Sequence, residues 1–175
     1  YKCIGKDTFK VTVASVPAPS ITLNPANTVC PNRNVNVTLN NPSSDPAATY
    51  TWNFNGATVV SGSGAGPYII SWGTPGSKTV SLAETSNGCN VNGSAGITVN
   101  TPPVADAGID IQACPGVPKN LGSASIAGNT YQWIPTLGLS DSTISNPVFF
   151  APSNPFGVTI DTNYIVVVSS GGCFN

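Results

Sequence analysis

The chain has 175 residues, six of them Lys or Arg and seven Asp or Glu, with no His and a net charge of −1. A charged share of 7%, against roughly 25% in an ordinary soluble domain, leaves no basic patch to follow a phosphate backbone, so nucleic acid is not an expected partner. No apolar run approaches the ~20 residues of a membrane helix, so membrane insertion is not expected either.

Hydrophobic content of 40%, with three Trp and six Phe, is enough for packed cores and argues against disorder. In chain order, short stretches alternate apolar and polar residues with period two, and Gly, Pro, Asn and Ser clusters separate them. The predicted strands are Phe9–Val13, Ser20–Leu23, Val35–Leu39, Tyr50–Phe54, Ala57–Val60, Tyr68–Trp72, Lys78–Leu82 and Gly96–Val99. Many short strands at close spacing predict an all-β chain of antiparallel β-sandwiches. Every second residue then enters the space between two sheets, so Val35, Val37 and Leu39 should face in together, as should Tyr50, Trp52 and Phe54. Asn100-Thr-Pro-Pro-Val104 predicts a stiff extended connector, and Ser15-Val-Pro-Ala-Pro19 has the same character. Beyond it the predicted strands are Asp110–Ala113, Asn120–Ala124, Thr130–Trp133, Val148–Phe150 and Tyr164–Val168.

The cysteines recur at a fixed stride. Cys30 and Cys89 are 59 residues apart, as are Cys114 and Cys173 (89 − 30 = 173 − 114), and the second pair is the first displaced by 84 (114 − 30). Tyr50-Thr-Trp52 returns as Tyr131-Gln-Trp133. A repeat of this length is too long for a solenoid and suits a small domain. The predicted organisation is a beads-on-a-string array: residues 1–15 as the terminal strand of a preceding domain, 18–100 as one sandwich, and 103–175 as a second that lacks its last strand.

Tyr50-Thr-Trp52-Asn-Phe54-Asn-Gly56, followed by Thr74-Pro-Gly-Ser-Lys-Thr-Val80-Ser-Leu82, resembles a polycystic-kidney-disease (PKD) type domain over about residues 18–100. The family's acidic Trp-Asp-Phe-Gly-Asp turn is here Trp52-Asn53-Phe54-Asn55-Gly56, with amides in place of acids. The second stretch carries Ala105-Asp-Ala-Gly108-Ile-Asp110, Cys114-Pro-Gly116, Tyr131-Gln-Trp133-Ile-Pro135 and Gly172-Cys173. It is similar to the Ig-like repeats of large surface adhesins of Bacteroidota that leave the cell by type IX secretion, among them the gliding-motility adhesins. The resemblance implies a bacterial cell-surface location.

Five cysteines without a CxxC motif in a chain without His point to structural disulfides outside the cell rather than zinc. Two pairings are open. The first closes each repeat on itself, Cys30–Cys89 and Cys114–Cys173, and leaves Cys3 over. The second joins neighbours through Cys30–Cys173, so that Cys3, Cys89 and Cys114 pair with domains or chains outside this sequence. Strand direction favours the second. Cys30 precedes the second strand of its sandwich and Cys89 follows the Ser86-Asn87-Gly88 turn that opens the last one. That places the two at opposite poles, about 23 Å apart for a seven-residue strand, whereas bridged Cα atoms lie within about 7 Å.

Chemistry is sparse. Asp106 and Asp110 lie four apart just after the connector and are the candidates for a calcium ion, with turn capping as the simpler role. Asp141-Ser142-Thr143 resembles the O-glycosylation sequon of Bacteroidota, which implies sugar on Ser142 or Thr143; Asn36-Val-Thr38 and Asn92-Gly-Ser94 match the Asn-linked pattern. No His exists to activate a serine, a Ser-Lys dyad through Lys78 or Lys119 lacks supporting groups, and Glu84 alone makes no glycosidase pair. No enzyme, catalytic residue or cofactor is expected. Trp52 and Trp133 fall at inward strand positions, and Trp72, beside Gly73-Thr-Pro-Gly76, is the tryptophan expected at the surface.

The reading is a structural stalk segment of a secreted surface adhesin or filament. Its partners are neighbouring domains of the same or an identical chain, with a surface or glycan ligand at a distal tip. The alternative is a carbohydrate-binding accessory module of a secreted polysaccharide-degrading enzyme, which an exposed aromatic platform would favour. Copies could also join by strand donation, residues 1–14 supplying what the stretch after Cys173 lacks.

Overall fold

A computed structural model describes residues 5–11, 13, 15–153, 157 and 160–175. All regular structure among them is β: β1 (Ile21–Asn24), β2 (Thr28–Val29), β3 (Val35–Leu39), β4 (Thr49–Asn53), β5 (Thr58–Ser61), β6 (Tyr68–Ser71), β7 (Gly76–Ser86), β8 (Cys89–Val99), β9 (Lys119–Asn120), β10 (Thr130–Ile134), β11 (Val148–Phe149), β12 (Ile165–Ser170) and β13 (Cys173–Phe174). Two compact units divide the chain. Unit 1 takes the described residues up to Asn27, then Asn34–Trp72 and Ser77–Ile97; unit 2 takes Thr28–Arg33, Gly73–Gly76 and the described residues of Thr98–Asn175.

In unit 1 the period-two pattern becomes an antiparallel sheet of order β1-β3-β6-β5. On β3 the alternation is complete: Val35, Val37 and Leu39 are buried, and Asn36 and Thr38 are exposed. Val35, Val37 and Ile70 are fully buried and contribute roughly 1.5–3 kcal/mol each, which makes the β3–β6 pair the anchor of this sheet. β5 is the edge; all four of its residues are exposed and the register slips between Val59 and Ser61, an irregularity that discourages a further strand from adding there. The second sheet runs β8-β7-β4. Rings from both sheets meet where Trp52 of β4 lies 5.4 Å from Tyr68 of β6. Asn87 and Gly88, both with positive φ (49° and 74°), form the two-residue turn that the twist of a β-hairpin prefers.

The β7–β8 hairpin is longer than the predicted Lys78–Leu82 and Gly96–Val99. Inward positions 84 and 86 of β7 hold Glu and Ser, which interrupts the apolar alternation that marks a strand in sequence. Of the expected strand Phe9–Val13, the described residues Phe9, Lys10, Val11 and Val13 lie in coil, and Phe9 is 90% exposed. Alternation there meets no partner strand among the described residues, and a single unpaired strand has no stability of its own.

At one end of unit 1 a loop is fixed by one carboxylate. Asp45 Oδ1 accepts from the Ala47 N–H at 2.9 Å and Oδ2 from the Asn87 N–H at 2.8 Å. These bonds, the one from Asn87 foremost, hold the Asp45 carboxyl below its ordinary value of 3.8. A depressed folded value means stabilisation that is complete above the ordinary value and lost as pH falls through the folded one. Wild type is therefore expected to lose stability on acidification below about pH 4 more steeply than Asp45→Asn; thermal unfolding of both proteins across that range checks it, and parallel curves contradict it.

Unit 2 pairs β10 with β12 and β12 with β13, all antiparallel, while β9 pairs with β11. β2 adds parallel to the last two residues of β8, Thr28 opposite Thr98 and Val29 opposite Val99. Trp133, fully buried, centres the core with Val166 and Val168, and Leu121, Tyr131, Leu139 and Tyr164 pack around it. Its backbone N–H donates to Ser142 O at 2.8 Å and its indole to Ile144 O at 2.9 Å. Gly122, at φ 70°, lets the chain pass so close that a Cβ there would stand 2.2 Å from Ser145 O and 2.8 Å from the Trp133 ring. That positive φ ends β9 after two residues, where the sequence predicted a strand over 120–124. Asp110–Ala113 is likewise coil, for want of a pairing partner.

Candidate functional site

In unit 2, segments distant in sequence are tied together around a disulfide. Cys30 follows β2 in a turn in which Arg33 N–H donates to Cys30 O at 3.3 Å. Cys173 opens β13, directly after Gly171 and Gly172, whose positive φ values of 55° and 79° form the β12–β13 turn. Cys30 and Cys173 are bonded, with Cα atoms 5.5 Å apart across a sequence separation of 143.

Hydrogen bonds reinforce the same junction of segments. Asn100 N–H donates to Val29 O at 2.8 Å, and its side-chain amide donates to Gly171 O at 2.8 Å. Asn175 exchanges two backbone bonds of 3.0 Å with Val168, and its side chain donates to Pro103 O at 3.2 Å. Chain near residues 30, 100 and 172 is thus held together covalently and through amides. Asn100 and Asn175 escaped the sequence reading, because an amide beside a turn carries no distinctive pattern.

Cys89 and Cys114 keep free thiols, so the pairs Cys30–Cys89 and Cys114–Cys173 are not formed. The register explains the first. β2 runs alongside the end of β8, Val29 opposite Val99, so Cys30 sits beyond the last residue of β8 while Cys89 is the first residue of that strand. Ten residues of strand span about 33 Å, out of reach of a bond that needs about 7 Å. Cys3 lies outside the described residues.

Among the tryptophans, Trp133 lies inward as expected and Trp72 does not lie where it was expected. Trp72 is 2% exposed rather than at the surface; its indole donates to Phe54 O at 2.9 Å and Asn55 O at 3.2 Å, which draws the ring inward to close the Phe54–Ala57 turn. Trp133 is buried. Trp52 is half-buried, stacked on Phe54 with centroids 5.6 Å apart and planes 11° from parallel. Both its indole and the Tyr68 hydroxyl donate to Gly64 O, at 3.0 and 3.2 Å. This ring cluster belongs to unit 1.

The acidic candidates are not gathered into a shell. Asp106 Oδ1 accepts from Gly108 N–H at 2.9 Å, closing a turn, and Asp110 is exposed. Among the described residues no three His, Cys, Asp or Glu side chains come together in a metal-holding group. Asp141 Oδ1 accepts from both the backbone N–H and the hydroxyl of Thr143, at 2.8 and 2.7 Å, and these bonds hold its carboxyl below the ordinary 3.8. Ser142 is half-buried and Thr143 exposed. Lys78 lies on β7 and Lys119 on β9. No helix among the described residues is long and apolar enough to cross a membrane.

No family model matches the chain, and no curated protein matches it. Among solved structures it is similar to the SGBP-B protein of the Bacteroides ovatus mixed-linkage glucan utilization locus, solved in complex with a mixed-linkage heptasaccharide. The identity is 19% over 89% of this chain, with a TM-score of 0.32. The chain spans under half of that protein, 44% of its length.

Proposed function

We infer that this chain is a structural segment of a secreted bacterial surface adhesin or filament, in which PKD-like and Ig-like sandwiches follow one another and hold distance outside the cell. The observation that carries the reading is the Cys30–Cys173 bond, which ties the chain near residue 30 to the chain near residue 173. Bonds of that kind form and persist in oxidising compartments. It also limits relative movement of the segments it joins, as the amides of Asn100 and Asn175 do beside it. Stiffness of this origin suits a spacer. Surface chemistry agrees: with a charged share of 7%, the exterior relies on Ser, Thr, Asn and Gly rather than on charge steering.

The second reading, a carbohydrate-binding module, is favoured by one feature. Trp52 and Phe54 present near-parallel, half-exposed rings, and stacked aromatics suit the apolar face of a sugar ring. Electron microscopy of the native protein and a glycan array with the isolated chain separate the two. A beaded or rod-like particle with a silent array is the expected result. A compact particle, or array binding that Trp52→Ala abolishes, overturns the structural reading; mixed-linkage glucan belongs among the probes.

A further inference from the structure

The stride that relates the cysteines in sequence is also a match of local geometry. Cys30 opens the turn Cys30-Pro31-Asn32-Arg33, closed by Arg33 N–H on Cys30 O at 3.3 Å, with Asn32 at φ 59°. Cys114 opens Cys114-Pro115-Gly116-Val117, closed by Val117 N–H on Cys114 O at 3.1 Å, with Gly116 at φ 77°. Both are turns that take proline second and a positive φ third. Cys89 and Cys173 match as closely. Each is the first residue of a strand, β8 or β13. Each directly follows a two-residue turn of positive φ, Asn87-Gly88 (49° and 74°) or Gly171-Gly172 (55° and 79°).

The described cysteines are thus two of each kind, a Cys-Pro turn and a hairpin cysteine, and one of each is already engaged. The bond that forms joins Cys30 to the hairpin cysteine 143 residues on, not to the one 59 residues on (89 − 30). A Cys-Pro turn therefore pairs with the hairpin of the following repeat and not with its own. The same rule directs Cys114 to the hairpin cysteine of another module, and Cys89 to the Cys-Pro turn of another. Accessibility agrees. Cys173, beneath its partner, is 2% exposed, whereas Cys89 is half-buried and Cys114 exposed, both as free thiols. A second copy of this chain carries both missing halves. We propose that Cys114 of one copy bonds Cys89 of the next, a covalent head-to-tail linkage that repeats the Cys30–Cys173 bond. Such a contact joins unlike surfaces and leaves one of each free, so it extends into a filament when its rotation does not close a ring. Each bond takes one thiol from each copy. Their two hydrogens reduce one disulfide of an oxidising pool, such as oxidised glutathione, to two thiols, by exchange through a mixed disulfide.

A Cys3→Ser background leaves Cys89 and Cys114 as the thiols under test. In a glutathione redox buffer this protein should give a ladder of dimers, trimers and longer species on non-reducing gels, which reductant collapses. Cys89→Ser and Cys114→Ser in that background should each stay monomeric alone, because neither retains both halves. An equal mixture of the two should give a dimer and nothing longer, and mass spectrometry of its linked peptides should join Cys114 to Cys89. Absence of the ladder overturns the proposal. So does a dimer of either variant alone, which would be the symmetric bond of two exposed thiols. The linkage rests on the reading of the chain as a stretch of a repeating array, yet the two fail separately. Native particles that are beaded, with no ladder from this chain, keep the array and remove the linkage; compact native particles beside a full ladder do the reverse.

Discussion

Removing the Cys30–Cys173 bond should lower stability by up to about 5 kcal/mol, the largest effect expected of any single change in this chain. The figure follows from loop-closure entropy: the bond spans a sequence separation of 143, and a loop of that length removes about 5 kcal/mol of freedom from the unfolded chain. The full loss applies only when both units unfold together. If unit 2 opens while unit 1 remains folded, residues 34–97 no longer count as free loop, and the loss shrinks accordingly. Denaturant unfolding of the Cys30→Ser/Cys173→Ser variant, beside wild type with and without reductant, measures this. The reduced wild type and the double variant should agree. Cys89→Ser is the control and should behave as wild type, because Cys89 holds a free thiol. A double variant as stable as the oxidised protein would show that the bond constrains nothing.

Trp133→Ala is the substitution expected to harm unit 2 most, by about 3–5 kcal/mol, as for truncation of a large buried aromatic. The ring is fully buried and its indole N–H satisfies Ile144 O at 2.9 Å, so truncation opens a cavity and leaves a carbonyl without its donor. The chain at Gly122 already passes so close that a Cβ there would stand 2.8 Å from that ring. Trp133→Phe keeps most of the apolar contact but not the hydrogen bond, and should cost less, about 1–2 kcal/mol. It also serves as a probe: Trp133 is the only tryptophan of unit 2, while Trp52 and Trp72 belong to unit 1. Fluorescence of Trp133→Phe therefore follows unit 1 alone. A loss below about 1 kcal/mol for Trp133→Ala would place the core of unit 2 elsewhere, since that is no more than a typical surface or hydrogen-bond change.

Strand recognition worked where one face meets the core and the other meets water. Val35–Leu39 and Thr130–Trp133 illustrate it, since alternation there reflects actual burial. It failed in two ways. Phe9–Val13 and Asp110–Ala113 alternate without a pairing edge among the described residues, and alternation is necessary for a half-buried strand rather than sufficient. On the long hairpin the error reversed: Glu84 and Ser86 occupy inward positions, and a polar residue facing inward reads in sequence as the end of a strand. The same placement leaves the Glu84 carboxylate buried without a hydrogen-bond partner.

By itself the sequence determined the β character of the chain, the positions of its tight turns and the chemical poverty of its surface. These follow from local properties: period-two alternation, glycines and asparagines that accept positive φ, and a composition without His. Only the tertiary structure decided which cysteines bond, that Trp72 turns inward, and that Glu84 is buried without a partner. Each of those depends on which distant strands lie side by side. Strand pairing sums many weak contacts between residues far apart in the chain, and the spacing of residues along the chain does not record that sum.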